Sequence, residues 1–103
     1  MENNEMVIMD IIVNSGNARS LAMEALADAK QGNIDEARAK LVQGKEELGK
    51  SHRVQTELIQ NEAAGKKTEM SLLMVHAQDH MMTGATVLDL AGEMVDMYDK
   101  FGK

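Results

Sequence analysis

Apolar and polar positions along the chain fall into three long helical patterns separated by two short polar breaks. In the first pattern Val7, Ile8, Ile11 and Ile12, then Ala18, Leu21, Ala22, Ala25, Leu26 and Ala29, recur at the spacing of one helix face. It predicts a helix over about residues 5–30, with Asn3 or Asn4 as its cap and a kink at "NSGNA" around Gly16. In "KQGNIDEA", Gly32 stands just past the last turn, where a left-handed cap is wanted. Asn33 can then cap a second helix, with Asp35 and Glu36 in its first turn, where acids suit the dipole. This helix is expected over about 34–62, on a seam of Ile34, Ala37, Leu41, Leu48, Leu58 and Ile59 that polar Ser51, His52 and Gln55 interrupt. "AAGKKT" is the second break, and Thr68 is the expected cap of a third helix over about 69–100. Turns this short force antiparallel neighbours. The expected fold is therefore all-α: one domain over 1–103, an up-down-up three-helix bundle. At about 1.5 Å per residue each helix is roughly 40–48 Å long.

The third pattern differs from the others. Leu72, Leu73, Met74 and Val75 cover every direction around the axis, and Met81, Met82, Val87, Leu88, Leu90, Met94, Val95 and Met97 nearly do so again. A helix apolar all round has to be buried on all sides, and two partner helices cannot surround it. The missing cover most simply comes from further copies of the chain, so the pattern predicts an oligomer. Ala77 and Gly84 allow close helix approach there.

Composition sharpens this picture. There is no proline, and the strong helix formers Ala, Leu, Met, Glu, Lys and Gln dominate. Ten methionines supply deformable apolar bulk in place of aromatics. With 11 Lys+Arg against 17 Asp+Glu the net charge is −6, and Tyr98 and Phe101 are the only large aromatics. Such a chain lacks both the basic stripe and the stacking platform of a nucleic-acid binder. No apolar run approaches a membrane span, and the acidic start "MENNEMVIMDII" argues against a secretory signal. The absence of cysteine excludes a disulfide framework, a zinc–thiolate site and a thiol nucleophile. A cytoplasmic protein is the simplest expectation.

Candidate chemistry is concentrated in "LLMVHAQDHMMTGAT", where His76, Asp79, His80 and Thr83 share one stripe at i, i+3, i+4 and i+7. Four readings compete. The first is structural, a core histidine hydrogen-bonded to Asp79. The second is a metal site, since histidines at i and i+4 can grip one ion; the glutamate of H-E-x-x-H is absent, and Asp79 alone is too few ligands for a hard cation unless a threefold axis brings copies of it together. The third is acid–base catalysis by His76 with Asp79 orienting it, although no substrate-pocket signature accompanies it. The fourth is nucleophilic: one imidazole accepts a phosphoryl group and passes it on, which needs an accessible neutral nitrogen and little other machinery.

At "SLLMVHAQDHMMT" the sequence resembles the lactose/cellobiose-type (also N,N′-diacetylchitobiose-type) enzyme IIA of the bacterial sugar phosphotransferase system. "IVNSGNARSLAMEAL", "AKQGNIDEA", "SHRVQTELIQNEA" and "EMVDMYDK" agree in order and spacing, so the resemblance covers about the whole chain. The chain departs from the family at Met81, where leucine is usual, and at Gly84, where many members carry a bulkier residue. The resemblance implies a homotrimer of three-helix protomers. It implies that His76 is phosphorylated by the general phosphocarrier HPr and hands the phosphoryl group to a cysteine of the cognate IIB component, serving the IIC permease indirectly. It also implies that Asp79 points to the trimer axis and shares a divalent cation, usually Mg2+. His80 either assists the site or only packs. His52 and Gln55 either reach across to the active helix or form a satisfied core pair. Gln78, about 200° around the helix from His76, cannot serve that histidine within one copy and is left a role only toward a neighbour. The competing class is a non-catalytic helical adaptor with core histidines.

Overall fold

The computed structural model describes the backbone of residues 2–102 and the side chains of residues 5–102. Proline-free and rich in helix formers, the chain makes three helices, α1 (Glu2–Lys30), α2 (Ile34–Ala63) and α3 (Leu72–Phe101), with no strand among the described residues. They form a rod of 54 × 22 × 19 Å. Ile8 shares one end of the core with Met74, and Ala29 shares the other with Val95, so α1 and α3 run parallel and α2 runs against both.

Glycine closes both breaks. Gly32 and Gly65 have φ of 86° and 93°, and the described residues hold no other positive φ. At the first break the amide of Gly32 donates to the Ala29 carbonyl and that of Asn33 to Asp28; at the second, Gly65 donates to Glu62 and Lys66 to Asn61. Both are the paired 5→2 and 6→1 bonds that finish a helix on a left-handed residue.

Several local expectations change. α1 starts at Glu2, so Asn3 and Asn4 lie in its first turn rather than ahead of it; their side chains lie outside the described residues. At Gly16, where a kink was expected, α1 keeps helical backbone on both sides. Asn33 stands at the start of α2 but its side chain makes no capping hydrogen bond. α3 begins at Leu72, later than the expected 69, because its cap is Ser71 and not Thr68. The Ser71 backbone is extended, and its hydroxyl accepts the Met74 amide at 3.1 Å. The first residue of α3 to enter the core is Met74, whose amide the Ser71 hydroxyl caps, beyond the exposed Lys66, Lys67 and Glu69.

Each helix buries a seam that alternates steps of three and four. In α1 it is Ile8, Ile11, Ser15, Ala18, Ala22, Ala25 and Ala29; in α3 it is Met74, Ala77, Met81, Gly84, Leu88, Ala91 and Val95. In α2 the fully buried positions Ala37, Gly44 and Ser51 recur every heptad. That period of 3.5 is the one that keeps a seam facing its partners along a gently left-handed bundle. Ile59, expected on the α2 seam, is instead 61% exposed, because Leu58 takes the core position beside it. Bulky Ile8, Ile11, Met74 and Met81 fill one end of the core, and alanines fill the other around Val95.

Between these ends lies a polar layer. The Ser15 hydroxyl donates to Ser51 Oγ at 3.1 Å, and the Ser51 hydroxyl donates to the Ile11 carbonyl at 3.1 Å, so both buried hydroxyls are satisfied. Polar clasps tie the outside. The Arg38 guanidinium reaches Asp96 at 3.0 Å and Asp99 at 2.8 Å, and the Lys40 ammonium reaches Asp28 at 2.8 Å. The Asp28 contact raises Lys40 above the ordinary lysine value. Exposed pairs of this kind add little stability each.

The apolar girth of α3 is at the surface of the single chain. Leu72 is 86% and Phe101 70% exposed, and Leu73, Val75, Met82, Leu90, Met94 and Met97 are exposed between them. Urea unfolding tests the seam assignment. Ile11→Ala, at a position with no solvent exposure, is expected to cost about 2–5 kcal/mol. Ile59→Ala is expected to stay within about 0.5 kcal/mol.

Candidate functional site

The core seam fixes which residues of α3 face outward. With Met74, Ala77 and Met81 turned into the bundle, His76 and Asp79 are exposed, and His80 and Gln78 are half-buried on opposite flanks. The i, i+4 spacing lays the two imidazoles over one another: the ring centroids of His76 and His80 are 5.6 Å apart and their planes 20° from parallel. His80 lies against α1, where a Cβ built on Gly16 would sit 3.6 Å from its Nε2. The His76 ring thus has the His80 ring as its neighbour on one side while the side chain stays open to solvent.

The other candidates are placed as follows. Asp79 makes no hydrogen bond to either histidine among the described residues, which leaves the orienting-acid reading without a contact to support it. Gln78 is held toward α2: Gln55 Nε2 donates to Gln78 Oε1 at 2.7 Å, and Gln78 Nε2 lies 3.6 Å from Met74 Sδ. So Gln55, and not His52, reaches across from α2 to the active helix. His52 is exposed, and its carbonyl accepts the Thr56 hydroxyl at 2.9 Å. Thr83 is exposed one turn beyond His80.

Two features of this region were not legible as site features. Gly16 belongs to it through His80, although its only sequence signal is a glycine inside a helix. Met6, Met9 and Val13 of α1 are exposed at the end of the bundle that carries His76, where α3 exposes Leu72, Leu73 and Val75. Their spacing was the available signal. Together these side chains make an apolar surface, to which Met6 and Met9 add the adaptable, unbranched bulk that methionine provides.

No three His, Cys, Asp or Glu side chains come together as a possible metal site among the described residues. The donor set of one chain does not suit a hard cation, which wants several oxygens. Asp79 presents one exposed carboxylate on the outward face of α3. No helix among the described residues is long and apolar enough to cross a membrane.

What this arrangement offers is an accessible imidazole on a rigid helix, with a second, half-buried imidazole stacked beside it and no nucleotide-binding loop among the described residues. That is the apparatus of a protein that relays a group rather than one that transforms a small molecule. The family model for the lactose/cellobiose-specific IIA subunit of the phosphotransferase system matches residues 6–99, and the chain belongs to that family. It is 59% identical over 99 residues to the lichenan-specific phosphotransferase enzyme IIA component of Bacillus subtilis, a match spanning 96% of this chain and 90% of that one. The crystal structure of the cellobiose-specific enzyme IIA of Bacillus anthracis superimposes with a TM-score of 0.93 at 53% identity, over 97% of this chain and 92% of that one. The IIA of the N,N′-diacetylchitobiose branch of Escherichia coli, solved as a complex with HPr, superimposes with a TM-score of 0.82 at 42% identity, over 96% of each chain. The chain is a phosphotransferase-system IIA component, a phosphoryl carrier on an all-α three-helix scaffold.

Exposure sets an order of chemical reactivity among the three histidines. Diethylpyrocarbonate is expected to modify His76 and His52 severalfold faster than His80, whose ring lies between His76 and α1. Peptide mass mapping over a time course checks it.

Proposed function

We propose that His76 is the phosphoryl acceptor of this IIA component, that HPr is its donor and that a cysteine of the cognate IIB component is its acceptor. The observation that carries the assignment is the exposed His76 ring stacked beside His80 on the outward face of α3. The E. coli relative solved with HPr supports the donor. The absence of cysteine from this chain requires the thiol to be on another component.

The step is simple in bonding terms. A neutral ring nitrogen of His76 attacks phosphorus in line with the donor's phosphorus–nitrogen bond; that bond breaks as the new one forms, and the donor imidazole recovers its electron pair. In the second transfer the cysteine thiolate of IIB attacks and the His76 nitrogen leaves. Little covalent work falls to the protein, so positioning dominates. The exposed Met6, Met9 and Val13 beside the bare α3 face provide an apolar surface against which two different partners can dock in turn.

Three copies packed about α3 would cover its exposed apolar residues. In that homotrimer the Asp79 carboxylates would converge on the axis and hold a divalent cation, Mg2+ by the chemistry of the donors. When bound, the cation supplies charge compensation; the transfer itself needs none of it. We assign the protein to the cytoplasm, with the IIC permease reached only through IIB. The sugar is not chosen by this chain, because the carrier never touches it.

Intact mass after incubation with phosphoenolpyruvate, enzyme I and HPr should rise by one phosphoryl group, lost in acid and absent in His76→Ala. Label retained in His76→Ala and lost in His80→Ala would reverse the assignment. For Asp79, the wild-type trimer is expected to melt lower in EDTA at neutral pH. Asp79→Leu should stay trimeric, ignore the chelator, accept phosphate at His76 and equal or exceed the metal-free wild type by about 1–4 kcal/mol. Sedimentation equilibrium showing a monomer at micromolar concentration would remove both the trimer and the shared cation.

A further inference from the structure

Glycine is a poor residue for a helix interior, yet Gly16 stands in the middle of α1. It lacks the positive φ that explains Gly32 and Gly65. What its missing side chain does appears across the contact with α3: a Cβ there would meet His80 Nε2 at 3.6 Å and nothing else within 4 Å. A methyl group fits at that separation in ordinary van der Waals contact, and a larger side chain has the His80 ring as its nearest neighbour. His80 in turn stacks on His76.

We propose that Gly16 is a positioning residue for the phosphoryl transfer: the bare stretch of α1 seats the His80 ring, and the seated ring, stacked on His76, holds the acceptor imidazole in one orientation. The proposal rests on His76 being the acceptor. A neighbouring contact makes the seat rigid. One turn beyond His80, a Cβ on Gly84 would lie 3.3 Å from the carbonyl oxygen of Ser15, the residue before Gly16. Backbone therefore meets backbone beside the seat, and Ser15 is itself locked to Ser51. A larger residue at position 16 cannot be accommodated by sliding α1 within this contact. The His80 ring has to swing, and the imidazole stacked on it is displaced with it. In-line transfer is sensitive to such displacement, with misplacement of about 1 Å costing up to about a hundredfold.

The test is a double-mutant cycle on the full chain, with HPr phosphorylated by phosphoenolpyruvate and enzyme I as donor, read by quenched-flow intact mass beside thermal unfolding. Gly16→Ala is expected within about twofold of wild type, the range of independent sites. Gly16→Val is expected to slow transfer on the order of tenfold to a hundredfold. The loss should fall in the rate at saturating donor and not in the donor concentration for half-saturation. His80→Ala is expected to be slowed to a similar degree, and adding Gly16→Val to it should change nothing further, since the ring it displaces is gone. Gly16→Val at the wild-type rate, His80→Ala at the wild-type rate, or a Gly16→Val penalty that persists in the His80→Ala background would each overturn the proposal. Label that survives His76→Ala would overturn the acceptor assignment instead, and that result is read without the Gly16 series.

Discussion

The structure depends on a single geometric demand, that α3 present one seam to the core while the rest of its circumference stays outside. Met74, Ala77, Met81, Gly84, Leu88, Ala91 and Val95 meet α1 and α2, and this heptad fixes the rotation of the helix about its own axis. Once that rotation is set, His76 and Asp79 must face outward, His80 must lie against α1 and Gln78 must turn to α2. The site is therefore a by-product of packing: no loop holds it and no strain is stored in it. A carrier that meets two partners in succession is well served by such a rigid support, because orientation is established before either partner arrives.

The fold was legible because its determinants are local. The lack of proline, the glycines at 32 and 65 and the apolar periods specify three helices and their antiparallel connection without reference to tertiary contacts. The boundaries were less so. "TEMS" offers two hydroxyl residues three positions apart, and both are acceptable caps on propensity alone. The choice of Ser71 is made by where the apolar period can begin to bury itself, which is a tertiary matter. Ile59 illustrates the same limit, since adjacent Leu58 and Ile59 compete for one core position and only the partner helices decide between them.

The candidate site was legible in its residues and not in its geometry. The i, i+4 spacing of His76 and His80 puts both on one side of a helix, but that alone does not distinguish a pair gripping a metal from a pair of stacked rings; side-chain torsions decide, and here they stack. Asp79, read beside them as a possible partner, makes no bond to either. The contribution of Gly16 was hidden for another reason. A residue that acts by having no side chain leaves no chemical signature in the sequence, and only the neighbour packed beside it reveals it.

The up-down-up order has an electrical consequence. With an odd number of helices the peptide dipoles cannot cancel: α1 and α3 both point their positive ends toward the His76 end of the rod, and α2 opposes only one of them. Each terminus is equivalent to about half an elementary charge, so roughly half a positive charge is left at that end of a molecule whose net charge is −6. This small permanent moment favours the approach of an anionic group end-on to the histidines, and it weakens as salt is added.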